Sequence, residues 1–401
     1  METLSHLSFK DIVPFIGSDK NKVADILQSY GIQQKRAEYL ASELEGDWKN
    51  YDDVPYEKKL WALQHGFLPG RVELYGLTES NYKDYLSDID YFYLHPLNNH
   101  FAIWINDKIT LKYVIPSVFT TLEGRRLSIM PEYYLYIEND GRYTYLMDSP
   151  KNIMHDEDYL LNLLKEKSIL ALKPSRGQGG HGFVMLRYIA EEDKIYANDK
   201  ELTEKDFNTF KETLDGYIVT EYVKQHKSLD AVWKDSVCTL RVVALNHSDD
   251  KFSGGKSEVI AAYARFGTSI SSGASNLSSG GVAVSFDFNT GLFGKEFFMY
   301  PKFSPNGEFK FPYHPDTKVS LFGNELPHWD IVRDVTLSVC DYLSSLEYFG
   351  FDIMVTDGGV KICEINTLPA LTGVQVLCGP VLHNASVKDF FYKKMRIRQN
   401  K

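Results

Sequence analysis

The run Lys173-Pro174-Ser175-Arg176-Gly177-Gln178-Gly179-Gly180-His181-Gly182 restricts the fold more than any other part of the sequence. It grows out of SILALKPS, an apolar run of strand length, so a buried strand delivers a lysine directly into a glycine-rich loop. Glycines let a backbone approach phosphate oxygens closely and turn N–H groups toward them, and Lys173 and Arg176 add positive charge. The spacing is neither GxxxxGK[ST] nor GxGxxG after a strand, which argues against P-loop and dinucleotide folds. The competing reading is a flexible hairpin tip. A lysine placed immediately before the glycines favours phosphate binding over it.

A second signal lies far downstream. FGFDIMVTDGGVKICEIN reads as apolar run, Asp-Gly-Gly turn, apolar run, which is a β-hairpin. Asp352 sits on one arm, Glu364 and Asn366 on the other. Glu364 and Asn366 are two apart and share a strand face, and pairing across the turn can bring Asp352 to it. Carboxylate and amide oxygens suit a hard cation such as Mg²⁺, completed by water and phosphate. The competing reading has Asp352 facing solvent and Asn366 starting a turn.

The segments between predict an α+β chain. KNKVADILQSYGI and KRAEYLASELEGDW repeat apolar residues at helical steps, with Gly31 and Gly46 as expected stops. Strands are expected in PEYYLYIEND, GRYTYLM, FVMLRYI, KIYAND, DGYIVTEYV, SVCTLRVVAL, SEVIAAYARF and GVAVSFDF, and helices in EDYLLNLLKEK and WDIVRDVTLSVCDYLSSL. GTSISSGASNLSSGG lies between two strands, where a functional loop is expected rather than a linker. The basic tail DFFYKKMRIRQNK is expected to be a frayed helix.

Composition narrows the partners. A chain of 401 residues has room for two or three domains. Its net charge of −10 argues against general nucleic-acid or membrane-surface binding, so any polyanionic ligand needs a local basic cluster. Cys238, Cys340, Cys363 and Cys378 show no CxxC or zinc spacing and read as thiols in a reducing compartment. Neither a secretory leader nor an apolar run of spanning length is visible, so a cytoplasmic location is expected. The many tyrosines read first as half-buried strand residues and second as sugar-stacking surfaces.

The order of parts is distinctive: lysine strand, glycine loop, short Glu-bearing strand, then an acid hairpin closing on Glu-Ile-Asn-Thr-Leu-Pro. In that order the chain resembles the ATP-grasp superfamily over roughly residues 100–380. In YFYLHPLNNHFAIWINDK, SVCTLRVVAL, the Ser/Gly-rich stretch ending SSGG, and EINTLP, it is similar to the sugar-transfer-associated ATP-grasp family. The resemblance implies an ATP-grasp fold of two α+β subdomains gripping ATP, behind a mainly helical N-terminal region. It sets residues 1–98 as a helical lead or cap, 99–223 as the part carrying the glycine loop, and 224–401 as the part carrying the metal site.

The resemblance also implies roles. Lys108 and Lys173 bind nucleotide. Ser175, Gly177, Gly179, Gly180 and His181 form the loop over the phosphates. Glu221, Tyr222 and Val223 read adenine. Asp352, Glu364 and Asn366 hold Mg²⁺, and Arg241 approaches the γ-phosphate. Two positions depart from the family pattern. Cys238 stands where many relatives have Asn, and Phe351 precedes Asp352 where many ligases have a basic residue. Arg241 or Arg265 must then supply the missing charge.

The implied activity is ATP-dependent ligation: a carboxylate becomes an acyl phosphate and an amine displaces phosphate. The small-molecule substrates are expected among polysaccharide or cell-envelope precursors. A phosphotransferase acting on a sugar or small acid, or a catalytically silent nucleotide-binding protein, are the alternatives. Closure of segments 176–182 and 267–281 is expected to exclude water. Ser271, Ser272, Ser275, Asn276 and Ser279 suit hydrogen bonding to a polar substrate, whereas no GxSxG elbow supports a nucleophilic serine. His226, His314 and His328 read as structural or surface residues.

Overall fold

The computed structural model describes residues 7–176, 182–247, 256–271, 273–304 and 306–400. Among these, β1 (Phe119–Thr120) and β2 (Arg126–Leu127) form a small ribbon, and the other strands form two seven-stranded antiparallel sheets. The first sheet holds β3 (Tyr133–Ile137), β4 (Tyr143–Tyr145), β5 (Ile169–Pro174), β6 (Val184–Ile189), β7 (Lys194–Ala197), β8 (Lys200–Leu202) and β9 (Tyr217–Glu221). Its spatial order is β4-β3-β9-β5-β6-β7-β8. The second holds β10 (Thr239–His247), β11 (Lys256–Phe266), β12 (Val282–Phe286), β13 (Phe293–Phe298), β14 (Lys310–Phe311), β15 (Tyr348–Thr356) and β16 (Gly359–Asn366). Its order is β14-β13-β12-β11-β10-β15-β16. The strands expected from sequence are all present, and so is the Asp352 hairpin.

The first sheet packs one face on helices Tyr159–Lys167 and Glu204–Lys211 through Leu160, Leu163, Leu164 and Phe207. The second sheet is covered on both faces. Val242, Ala244, Ala262 and Ala264 join the core that holds Val332, Val335 and Val339 of helix Trp329–Tyr342. Val243, Leu245, Ala261 and Tyr263 turn the other way and share a core with the N-terminal helices. Burial on two faces explains why LRVVAL is apolar almost without a break.

Helix Lys20–Ser29 starts at Asp19, whose side chain accepts from Lys22 N–H at 2.9 Å, and is closed by Gly31 at φ +93°. Gly46 does not end the second helix, which runs Gln34–Asn50. A mid-helix glycine costs only about 1 kcal/mol, and the buried stripe Ala37, Leu40, Ala41 and Leu44 holds the helix through it. The basic tail is not frayed. Helix Ala385–Gln399 buries Val387, Phe390, Phe391 and Met395, and Arg398 donates to the Gly31 carbonyl at 2.9 Å.

The N-terminal helices are bound to the far end of the chain by hydrogen bonds. Leu86 N–H donates to Gln375 Oε1 at 2.9 Å, and Gln375 returns a bond to Leu86 O at 3.1 Å. Asn98 Oδ1 accepts from Glu347 and Tyr348 N–H, and its Nδ2 donates to Tyr348 O at 2.6 Å. Tyr91 O–H donates to Pro369 O. Among the described residues no helix is long and apolar enough to cross a membrane.

His95 lies fully buried at this junction. Its Nδ1–H donates to Tyr91 O at 2.7 Å, and Nε2 has no partner. Burial lowers its pKa from 6.5 to about 3, against the Tyr91 hydrogen bond. The unfolded chain takes up a proton near pH 6.5 that the folded chain refuses. Stability is therefore full above that pH and falls on acidification toward pH 3. From pH 7 to 5 we expect the urea unfolding free energy to fall by up to about 1.4 kcal/mol per pH unit below 6.5 from this group. His95→Gln should flatten that slope, and an unchanged slope would reject the assignment.

Candidate active site

Between the two sheets lies a cavity of about 1410 Å³. Strand alternation decides what faces it. On β10, β11 and β15 the residues that join the N-terminal core also set the cavity face, so Arg241, Tyr263, Arg265 and Asp352 line it. Register places Tyr263 opposite Arg241, Arg241 opposite Asp352, and Asp352 opposite Glu364, a row across four strands. Gly350 faces Asn366 one step along. A Cβ at Gly350 would lie 2.8 Å from Pro369 Cβ and 3.4 Å from Arg241 Cδ, so a larger residue would crowd the arginine.

Asp352 is held by two guanidiniums. Arg241 donates from Nε at 2.6 Å and from Nη2 at 3.1 Å, while Arg265 Nη2 stands 2.9 Å from Oδ1. Arg265 also donates to Thr239 Oγ1 and to Asn276 Oδ1 at 3.1 Å, tying the Ser/Gly-rich segment to the site. Burial opposes ionisation of Asp352, but Arg241 and Arg265 outweigh it and hold the carboxyl well below the usual range. Phe351 points into the opposite core, so the charge expected from the position before Asp352 comes from Arg241 and Arg265 instead.

A β-bulge shapes the other arm. Asp352 pairs with Glu364 but Ile353 pairs with Ile362, which leaves Cys363 as the extra residue. The bulge turns Cys363 as well as Glu364 to the cavity, where Lys173 Nζ lies 3.9 Å from the thiol. Burial, Glu364 and Asp352 push that thiol up against the pull of Lys173. It is neutral at pH 7, so the counter-charge for Lys173 there is Glu364. Lys173 is held above its usual pKa although burial opposes it. Lys108 Nζ lies 3.5 Å from Glu364 Oε2, on a helix capped by Asp107, whose Oδ1 accepts from Thr110 N–H. Asn366 Nδ2 donates to Glu364 Oε1 at 3.1 Å and approaches Asp352 Oδ2 at 3.5 Å.

Lys108, Lys173, Arg241 and Arg265 thus face Asp352 and Glu364, a local cationic surplus in an acidic chain. Two carboxylates and an amide suit a hard divalent cation that takes its remaining ligands from water and phosphate. Among the described residues no cluster of three or more His, Cys, Asp or Glu forms a site of another kind.

The other expected positions divide. Glu221, the last residue of β9, lines the cavity with Tyr222 and Val223 after it, and the Glu221 carboxylate accepts from Glu132 N–H at 3.1 Å. Ser175 is buried and does not line the cavity, its N–H given to Gly216 O. Gly177, Gly179, Gly180, His181 and Ser272 lie outside the described residues. Ser275 and Asn276 line the cavity, while Ser271 is spent on Thr268, donating to its carbonyl at 3.0 Å.

The segment 267–281 is a wall more than a lid. Thr268 Oγ1 donates to Gly280 O at 2.7 Å, and buried His314 binds Gly267 O at 2.8 Å. Closure there would break these bonds. His226 and His328 sit edge to face by Asp357, away from the cavity lining. Cys238 and Cys340 are buried, Cys363 half-buried and Cys378 exposed, and all are free thiols.

The family model described as "Sugar-transfer associated ATP-grasp" matches residues 91–389. The chain belongs to that family. Its paired sheets around one cleft are the ATP-grasp fold, and its helical N-terminal region lies largely outside the matched span. Solved structures similar to this ATP-grasp chain include D-alanine–D-alanine ligase from Bacillus anthracis, with 15% identity over 74% of this chain and 69% of that one, and a TM-score of 0.36. D-alanyl-alanine synthetase A from Vibrio cholerae shows 13% identity over 73% and 66%, with a TM-score of 0.38. The biotin carboxylase domain of 2-oxoglutarate carboxylase from Hydrogenobacter thermophilus, solved with MgADP and bicarbonate, shows 13% identity over 75% and 46%, with a TM-score of 0.38. No curated protein matched the chain.

Asp352→Asn would leave Arg241 and Arg265 buried without their anion. We expect it to cost about 3–5 kcal/mol in urea unfolding near neutral pH. The folded pKa of Asp352 lies below its unfolded value, so this stabilisation is full above about pH 4 and is lost only as pH falls through the lowered value. A variant as stable as the wild type would mean the two arginines find other partners.

Proposed function

We propose that this ATP-grasp chain is an ATP-dependent carboxylate–amine ligase acting on a polysaccharide or cell-envelope precursor in the cytoplasm. One observation carries the reading: lysines from two separate segments, two arginines and the Asp352–Glu364–Asn366 set converge on a single cavity between the sheets. The family description supports the sugar-linked substrate class. In this reading residues 1–98 cap the cleft, 99–223 carry the nucleotide side and 224–401 the metal side.

Lys108 and Lys173 bind the phosphates of ATP, and the strand end at Glu221–Val223 borders its adenine. Asp352, Glu364 and Asn366 would hold a magnesium ion, which would supply charge neutralisation to the triphosphate. Arg241 and Arg265 fix Asp352 and extend the positive field to the phosphoryl group in flight. The substrate carboxylate oxygen bonds to the γ-phosphorus as the bond to the β-bridging oxygen breaks, and ADP leaves. The amine then bonds to the acyl carbon as the carbon–oxygen bond to phosphate breaks. Phosphate takes one proton of the former ammonium group and solvent takes the other. The acyl phosphate hydrolyses readily, so the cavity must exclude water while it exists.

Glu364→Ala should lower ADP release by about 100-fold or more with the fold intact by circular dichroism. Unchanged turnover would remove Glu364 from the metal set. In a screen of purified protein across amino acids and amino- or carboxy-sugars, ADP release should require both a carboxylate and an amine. Release with a hydroxyl compound alone would instead indicate a phosphotransferase.

A further inference from the structure

The cavity continues past the basic end to a second wall of opposite charge. Tyr39, Glu43 and Asp47 follow at four-residue steps on helix Gln34–Asn50 and all line it. The stripe that looks solvated in sequence therefore faces the substrate cavity. Asp47 is committed: Oδ1 accepts from Gly70 N–H at 2.7 Å, and Oδ2 lies 3.6 Å from Arg71, which Asp88 also holds at 3.1 Å. Arg71 is thus spent on two carboxylates. Glu43 beside them has no salt-bridge partner among the described residues.

Between this wall and the arginines stand two tyrosines. Tyr300 is within electrostatic reach of Glu43, Arg71 and Tyr263, and Tyr263 of Arg241, Arg265 and Asp352. Tyr263 is only 2% exposed and lines the cavity, yet its hydroxyl has no hydrogen-bond partner among the described residues. The hydroxyl of this buried residue opens on the cavity and bonds no protein group among the described residues, which leaves it available to a ligand. Gly373 keeps the space in front of it, since a Cβ there would lie 2.8 Å from the Tyr263 oxygen.

We propose that this end of the cavity binds an acceptor carrying a second, non-reacting primary ammonium group, with Glu43 facing that charge and the Tyr263 hydroxyl bonded to the part nearest Arg241, which places the reacting amine at the phosphate end. Tyr39 and Tyr300 offer aromatic surface to the cation. The opposite charge of the two ends orients the acceptor relative to the phosphate end. This inference rests on the ligase reading above.

The test uses the full chain with Mg-ATP and two kinds of nucleophile. Hydroxylamine, small and without need of the acidic wall, converts any acyl phosphate formed from a panel of carboxylates into a hydroxamate. No hydroxamate with any carboxylate would remove the ligase reading and this inference with it. With a carboxylate that reacts, lysine, ornithine and 1,3-diaminopropane, each with a second ammonium group, are offered as acceptors, and hydroxamate without amide from all three would overturn the inference alone. For an accepted amine, the ratio of its kcat/KM to that of hydroxylamine should fall about tenfold in Glu43→Gln and in Tyr263→Phe. The ratio is internal to each preparation, so loss of folded protein cancels. Ratios within about twofold of wild type in both variants would overturn the proposal.

Discussion

The structure turns on one buried carboxylate shared by two guanidiniums. Asp352 cannot stay ionised away from water without compensation, and Arg241 and Arg265 could not stay there without it. The three come from β15, β10 and β11, so the ion cluster fixes the relative position of adjacent strands as well as the field in the cavity. Replacing it by apolar residues of similar volume would satisfy the core. It would leave Lys108 and Lys173 facing Glu364 with no organised positive wall behind them. The cluster is better understood as a device for arranging charge than as a source of stability.

The same cavity is bounded by parts that differ in what holds them. The sheet side is fixed by ladder bonds and by the Gly350–Pro369 approach. The Ser/Gly-rich side is fixed by Thr268, His314 and the reach of Arg265 to Asn276. The N-terminal side depends on apolar packing shared with Val243, Leu245 and Tyr348, together with the bonds of Asn98 and Gln375. Side chains on the helical side can therefore change without disturbing the ion cluster.

Much of this was legible in the residues, for identifiable reasons. The lysine strand and the acid hairpin follow from period-two alternation and turn composition, which are local. Their meeting across a cavity followed only from the resemblance, because no local pattern reports contacts more than a hundred residues apart. The bulge at Cys363 did leave a trace: Val360 and Ile362 turn inward two apart, but the next inward residue is Ile365, three further on. The final helix reads as frayed because its basic residues interrupt the apolar spacing of Phe390, Phe391 and Met395. The polar stripe of helix Gln34–Asn50 was unreadable in principle. Solvent and a polar cavity ask for the same side chains.

The bonds from Leu86, Tyr91 and Asn98 to residues beyond 347 have a consequence for biosynthesis. Their partners lie 289, 278 and 250 positions away, so the first hundred residues cannot be completed as they leave the ribosome. Leu86, Tyr91 and Asn98 gain these partners only when almost the whole polypeptide has been translated.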